Sequence, residues 1–556
     1  MLREMMGKMV EANSAGRVDA AYDAVVVGAG IGGLYMVYKL REMGLSVLGI
    51  EAGDNVGGVW YWNRYPGARC DLMTVDYCYT FSPEVDAEWS WSEQFAAQPE
   101  ILEYINFVAD RHELRKDYLF GTRVERAAYD EARQVWQFDT DTGKVFEASY
   151  AVMATGPLSV PKVPEFVANG SFKGELYYSG RWPKEPVSYE GKRVGVVGVG
   201  STGIQIVPVV AQEAKELTVF QRTPSFTMPM RNHAYTPEYQ AQIKRHLPAM
   251  RASARNSPLG GVRPSSTRPY FSVPPEQRIS LMEDAWKNGG HTFLGTFSDL
   301  LQNEEANEEV AEFVRGKIGE VVNDPETAET LKPRGYPIFA RRACLDTHYY
   351  EAFNLPHVRL VDCFREPIHT LTDNGIKVGD REIELDMLIL ATGYDGLTGA
   401  LMAFDVVGRG GETVNQRWSG GAHSHLGLMM KDFPNLFMIC GPNGPSALAN
   451  IFTINEQNVN WIADAISHMR SHGLTAMEPT GEAEQGWMDL VAGLAEGTLV
   501  SKAKTWYTGT NIAGKSRGLT MYTGGFKAYR EACEEAASQD YPGIAFERAG
   551  VPETTA

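Results

Sequence analysis

Two glycine-rich turns constrain this chain more than anything else in it. The first lies in Tyr22-Asp-Ala-Val-Val-Val-Gly28-Ala-Gly30-Ile-Gly-Gly33-Leu, where a β-branched apolar run enters the turn and a helical pattern of Leu34, Val37 and Leu40 leaves it. The second, Arg193-Val-Gly-Val-Val-Gly198-Val-Gly200-Ser201-Thr202-Gly203-Ile, repeats that arrangement. Strand, tight turn and helix in this order aim the unpaired N–H groups of a helix N-terminus at a phosphate. The first glycine of each unit permits the turn, the second lets backbone approach a pyrophosphate, and the third lets helix pack on strand. Two such units predict an α/β fold with two Rossmann-like dinucleotide-binding domains.

The strand after each unit sets a charge preference. Ser46-Val-Leu-Gly-Ile ends in Glu51, roughly 20 residues past the first glycine, where a carboxylate accepts hydrogen bonds from ribose hydroxyls. The strand Leu217-Thr-Val-Phe-Gln ends instead in Arg222, with Thr223 next to it. A guanidinium there matches a ribose 2′-phosphate, which an acid would repel. The second unit is therefore expected to hold NADPH and the first a dinucleotide without that phosphate. Hydride from NADPH needs an acceptor, and FAD is the natural one. Two apolar runs ending in small residues, Ala151-Val-Met-Ala-Thr155-Gly156 and Met387-Leu-Ile-Leu-Ala-Thr392-Gly393, fit backbone passing close to a nucleotide.

At 556 residues the chain is long enough for several domains. Residues 1–157 read as the first part of an FAD-binding domain and 158–229 as the first part of an NADP-binding domain. Residues 230–335 read as a helical, polar insertion. Residues 336–390 return to the NADP-binding domain, and 391–556 to the FAD-binding domain and a C-terminal loop. A net charge of −18 argues against a nucleic-acid partner. No apolar run approaches the roughly 20 residues that span a bilayer. The leading residues lack an apolar signal region and are expected to form a frayed extension. Six cysteines without a CxxC pair fit a reducing cytoplasm and count against a disulfide reductase. His423 and His425 have no neighbouring carboxylate or thiolate, so no metal is expected. Oligomeric state is left open by the sequence, with a monomer compatible.

Two further segments narrow the chemistry. Gly57-Gly58-Val-Trp60-Tyr-Trp-Asn-Arg-Tyr65-Pro66-Gly67-Ala-Arg69-Cys-Asp71 meets the pattern [AG]GxWxxxx[FY]P[GM]xxxD in full. Phe172-Lys-Gly174-Glu-Leu-Tyr-Tyr178-Ser-Gly-Arg-Trp182-Pro183 matches FxGxxxHxxxW and the next position, except at the histidine. From about residue 20 to 530 the chain resembles the type I Baeyer–Villiger monooxygenases, and is most similar to the phenylacetone and steroid monooxygenase branch. That resemblance implies a flavoenzyme that uses NADPH and O2 to place one oxygen atom beside a ketone carbonyl, through a C4a-peroxyflavin.

The resemblance also implies roles. Arg342 is the fixed cation that favours an anionic peroxide and stabilises the charge formed on carbonyl attack, and Asp71 holds it in place. Gly58, Trp60, Tyr77, Val124 and Ile451 join Asp71 and the first unit around FAD. Arg69, Thr223, Arg341 and Trp506 join the second unit around NADP, with Arg341 beside Arg222 and Trp506 on a loop that closes over the nucleotide. Ser446, Ala447 and Leu448 line the substrate pocket. Apart from the resemblance, Arg341-Arg342 would read as a solvated basic pair, and Asp71 as a helix cap. Tyr178 stands where the family has histidine; it can donate a hydrogen bond but does not become a cation near neutral pH, which bears on how well reduction is coupled to oxygenation. The alternative within flavin chemistry is an N- or S-oxygenating monooxygenase acting on soft heteroatoms.

Overall fold

The computed structural model describes residues 18–262, 266–510, 512, 515 and 518–548. The expected frayed extension falls almost wholly on residues 1–17, outside the described residues.

Two separate sheets carry the two glycine units. In the first, Ala20–Val27 lies between Val47–Ile50 and Val145–Met153, parallel to both, with Val27 paired to Ile50 and to Met153. Ala24, Val25 and Val26 are fully buried, as expected of a central strand covered on both faces. An antiparallel meander, Val124–Asp130, Val135–Thr140 and Val145–Met153, extends this sheet on one side. The late strands Asp405–Val407 and Leu436–Met438 add to it in parallel. Helices Ile31–Glu42 and Ile451–His472 share the core on one face, through Leu34, Val37, Leu40, Val459, Ile462 and Ile466. Trp136, Phe138, Val406 and Trp418 fill the other face.

The second sheet is parallel throughout, in the order Val358–Asp362, Glu216–Gln221, Arg193–Val197, Met387–Leu390, Glu175–Tyr178. Its neighbours come from far apart in sequence because parallel strands need crossover connections. One crossover is very long. Between Gln221 and Val358 the chain builds helices Pro237–Arg255, Pro275–Asn288, Glu304–Val321 and Pro325–Leu331. Three of these start on a side-chain cap: Thr236 accepts from Tyr239 N, Asn303 from Ala306 N, and Asp324 from Thr327 N. Each cap satisfies a backbone donor the helix itself leaves unpaired. Two short parallel strands, Thr227–Pro229 and Cys344–Asp346, close the base of this excursion. Arg341 and Arg342 therefore sit at its exit.

Candidate functional site

The two glycine units are built alike. Gly28 has φ +111° and Gly198 φ +105°, which favour glycine; a Cβ there would lie 2.5 Å from the Ala154 carbonyl oxygen and 2.3 Å from that of Ala391. A Cβ on Gly33 would fall 2.0 Å from Gly28 O, and one on Gly203 1.9 Å from Gly198 O. Gly30 and Gly200 are the N-caps of helices Ile31–Glu42 and Ser201–Glu213, neither with a side-chain cap or an acid in its first turn. Their leading N–H groups thus have no capping side chain and no neighbouring acid, and each N-terminus fits a pyrophosphate. Glu51 is buried and its two oxygens accept from Ala29 N at 2.8 Å and Gly53 N at 2.7 Å, which fixes the carboxylate beside the first unit.

The Gly57–Asp71 segment runs from one unit to the other. A Cβ on Gly58 would come 2.8 Å from Gly30 Cα, so this segment lies against the first glycine turn. A Cβ on Gly67 would come 2.4 Å from the Gln205 carbonyl oxygen, on the helix of the second unit. Tyr65 Oη donates to Gln205 Oε1 at 2.9 Å, and Gln205 Nε2 donates to the Arg69 carbonyl at 2.9 Å. The guanidinium of Arg69 is engaged elsewhere, on Glu93 and the Phe95 carbonyl. Trp60 is buried and donates from Nε1 to Tyr77 Oη at 2.9 Å. Tyr77 in turn meets Phe452 edge-on at 4.8 Å, next to Ile451 at the start of its helix. Val124 is buried at the start of its strand in the first sheet.

Asp71 ends this segment against Arg342. The contact is two-pronged: Arg342 Nε donates to Oδ2 at 2.8 Å and Nη2 donates to Oδ1. Asp71 is 8% exposed, whereas the Arg342 side chain keeps 35% exposure. One edge of the guanidinium is thus fixed and another faces open space. The Asp71 carboxylate, outweighing burial, holds Arg342 well above the ordinary guanidinium range, so its charge is permanent. Two further groups stand near the pair, and the first of them carries no sequence signal. His291, from the insertion, brings Nε2 to 3.9 Å from Asp71 Oδ2. Tyr507, pushed up to about 12 chiefly by burial and held back by the Arg342 charge, stands beside Arg342.

Trp506 and Tyr507 share a short 3₁₀ turn, Trp506–Thr508, and Trp506 packs on Gly396. Ala447 and Leu448 pack into the same apolar cluster as Leu397, Tyr507, Trp506 and Met521. Ser446 is fully buried with φ +42°. The expected pocket residues and the expected closing-loop tryptophan are therefore neighbours.

Three cations meet at the end of the second sheet. Arg222 is exposed just past Glu216–Gln221, and Thr223 beside it is half-buried. Arg341 stacks on the Tyr336 ring at 4.2 Å. Burial first, and then the Arg222 charge, pull Lys162 below its ordinary value; burial and Arg222 likewise lower Arg341, with Tyr336 opposing. Lys162 is held there by its N–H donating to the Gly393 carbonyl at 2.9 Å and by its carbonyl accepting from Thr392 Oγ1 at 3.0 Å. Cations that repel one another in a partly dry site suit a dianion. Lys162 carries no sequence signal of its own, because a lone lysine near prolines has no pattern; only the strand that ends at Thr392-Gly393 gives it an address. On the same helix N-terminus, Ser201 Oγ lies 3.2 Å from Cys344 Sγ, and Thr202 faces Tyr65.

The linker explains its own glycine. A Cβ on Gly174 would fall 2.4 Å from Phe172 Cζ and 2.6 Å from the Asp386 carbonyl oxygen, so the ring can fold over the edge strand only there. Trp182 is buried against Tyr177, 5.2 Å between ring centres, with Pro183 directly after it. Tyr178 pairs with Leu390 and packs into the cluster of Val197, Phe220, Leu388 and Leu390. An imidazole at this apolar spot loses ring contact and brings a second polar nitrogen. Tyr178→His is expected to cost about 1 kcal/mol of stability, read as a lower melting temperature. A melting temperature at or above that of the wild type would show that the tyrosine ring is not what this cluster needs.

Among proteins of known sequence, residues 21–243 match the family described as flavin-binding monooxygenase-like. A Baeyer–Villiger monooxygenase of Pseudooceanicola batsensis is 40% identical over 543 residues, 97% of this chain and 99% of that protein. A phenazine N-monooxygenase of Lysobacter antibioticus is 39% identical, over 94% of this chain and 96% of its own length. The solved structure of oxidized steroid monooxygenase bound to NADP superposes with a TM-score of 0.91 at 42% identity, covering 95% of this chain and 100% of that one.

Proposed function

We propose, from the premise that this chain belongs to the Baeyer–Villiger monooxygenase family, that it uses NADPH and O2 to insert one oxygen atom beside a ketone carbonyl, giving an ester or lactone. The observation that carries this reading is the Asp71–Arg342 pair, set by the Gly57–Asp71 segment between the two nucleotide units. Bound FAD supplies the oxygen-activating chemistry, and NADPH the hydride.

The chain's own residues do the rest. Gly28, Gly30, Gly33 and Gly58 would hold the FAD pyrophosphate, and Glu51 its ribose. Trp60, Tyr77, Val124 and Ile451 wall the rest of that site. Gly198, Gly200, Ser201, Thr202 and Gly203 would hold the NADP pyrophosphate, and Arg222, Thr223, Arg341 and Lys162 its 2′-phosphate. Arg342 holds a fixed positive charge where the carbonyl oxygen gathers negative charge, and Asp71 keeps the guanidinium from swinging away. Tyr507, Trp506, Ala447 and Leu448 exclude water on that side, which strengthens the charge interaction. The substrate class is a small-molecule ketone bordered by Ser446, Ala447 and Leu448. No helix among the described residues is long and apolar enough to cross a membrane. Six unpaired thiols support a cytoplasmic location.

A visible spectrum of the purified protein and NADPH oxidation across cyclic, aromatic and steroid ketones, with products identified by mass spectrometry, test this reading. A colourless protein that refuses added flavin, or one that releases only peroxide with every ketone, would overturn it. A second reading, oxygenation of a heteroatom, is supported by the phenazine N-monooxygenase relative. Adding N-heteroaromatics and sulfides to the screen separates the two, because ester and N-oxide are distinct products. For the nucleotide, Arg222→Ala is expected to raise the apparent KM for NADPH about 10- to 100-fold while sparing NADH, and Lys162→Met to do so less strongly. An equal effect on both nucleotides would remove these residues from 2′-phosphate recognition.

A further inference from the structure

Phe364 is the most exposed large hydrophobic residue among the described residues, at 78%. Its exposure does not come from a loose chain. Strand Val358–Asp362 runs parallel to Glu216–Gln221 with Asp362 paired to Gln221, and Cys363 N donates to the Gln221 carbonyl at 2.7 Å. Cys363 is buried beneath. Asp362 Oδ1 accepts from Phe364 N at 3.0 Å and the Asp362 carbonyl accepts from Glu366 N at 2.9 Å. A turn anchored at three points thus presents a phenyl ring to solvent. The next residue after Gln221 on the neighbouring strand is Arg222.

Register therefore sets Cys363 level with Arg222, the expected 2′-phosphate arginine, and the exposed aromatic one residue beyond it, both at the carboxyl edge of one parallel sheet. Ligands of such sheets lie outside that edge. A nucleotide whose 2′-phosphate meets Arg222 has its adenine on the adjoining carbon of the same ribose, C1′ next to C2′. We infer that Phe364 is the stacking platform for the adenine ring of NADPH, so that Arg222 reads the phosphate and Phe364 the base. The inference rests on the NADP reading of the second unit. A purine face on an aromatic ring removes apolar surface from water on both partners and needs no fixed hydrogen-bond geometry, which suits a ring on a turn.

The test separates base from phosphate and from turnover. Binding of 2′,5′-ADP, which contains both groups and no nicotinamide, is measured by calorimetry on the flavin-bound enzyme. Phe364→Ala and Phe364→Leu are expected to weaken it about tenfold, and Phe364→Trp to keep it within about twofold of wild type. The KM values for NADPH and NADH should rise together in the alanine variant, unlike the phosphate-specific effect of Arg222→Ala. Unchanged 2′,5′-ADP binding in both the alanine and leucine variants, with flavin absorbance and melting temperature intact, overturns the assignment. A wild-type enzyme that does not bind 2′,5′-ADP at all overturns the NADP reading and this inference with it, whereas absent ketone oxidation alone touches neither.

Discussion

Arg342→Ala is expected to bind flavin and to take hydride from NADPH, yet to lose ester formation by roughly 10³-fold or more. The expectation comes from where the guanidinium stands. It forms a two-pronged contact with the buried Asp71 and is not one of the groups that shape either glycine turn. Removing it takes away the fixed positive charge and the two-pronged partner of the Asp71 carboxylate, so the local potential becomes more negative. His291 and Tyr507 remain nearby, but neither offers the permanent, fork-shaped charge of an arginine. Arg342→Lys is the informative companion. It keeps a cation while losing the two-pronged contact, and should retain a small part of the activity if charge dominates. Flavin absorbance, stopped-flow reduction by NADPH and ester yield by mass spectrometry separate the three steps. Normal ester yield in Arg342→Ala would remove the residue from the mechanism.

Local signals are legible in the sequence where a backbone position tolerates one residue type. Both glycine turns, the strands entering them and the charge contrast between Glu51 and Arg222 can be read from short windows, because sterics and charge act there over a few residues. Less legible is everything that depends on distant segments meeting. Lys162 is brought toward Arg222 by backbone hydrogen bonds to Thr392 and Gly393. His291 reaches Asp71 from the helical insertion, whose sequence reads as polar and helical with no hint of a site. Arg69 shows the reverse difficulty: a motif position whose guanidinium is engaged by Glu93, while its carbonyl makes the contact with the second unit. The Gly57–Asp71 pattern can be matched letter by letter, but why it needs Gly58 and Gly67 emerges only once Gly30 and Gln205 stand opposite them.

Gly203→Val should produce a yellow protein that NADPH cannot reduce, and the reason lies in a stack of close backbone contacts. A Cβ at Gly203 would sit 1.9 Å from the Gly198 carbonyl oxygen, far inside contact distance. Gly198 has no room to retreat, because a substituent on it would itself meet Ala391 O at 2.3 Å, and its φ of +105° is already one that side chains avoid. Only the helix Ser201–Glu213 can move, and lifting it off the strand withdraws the N–H groups that face the pyrophosphate. Losing two such charge-assisted bonds, each worth about 1.5–3 kcal/mol, predicts at least a 100-fold loss of NADPH affinity. The first sheet shares none of these atoms, so flavin should stay bound and accept electrons from dithionite. Gly33→Val reverses the pattern: the same clash, 2.0 Å from Gly28 O, should abolish flavin binding and give a colourless protein. A Gly203→Val enzyme with an ordinary KM for NADPH would mean that the second glycine turn is not where that nucleotide lies. The contrast between the two variants tests the assignment of each cofactor to its own sheet, which absorbance and dithionite titration read without any ketone present.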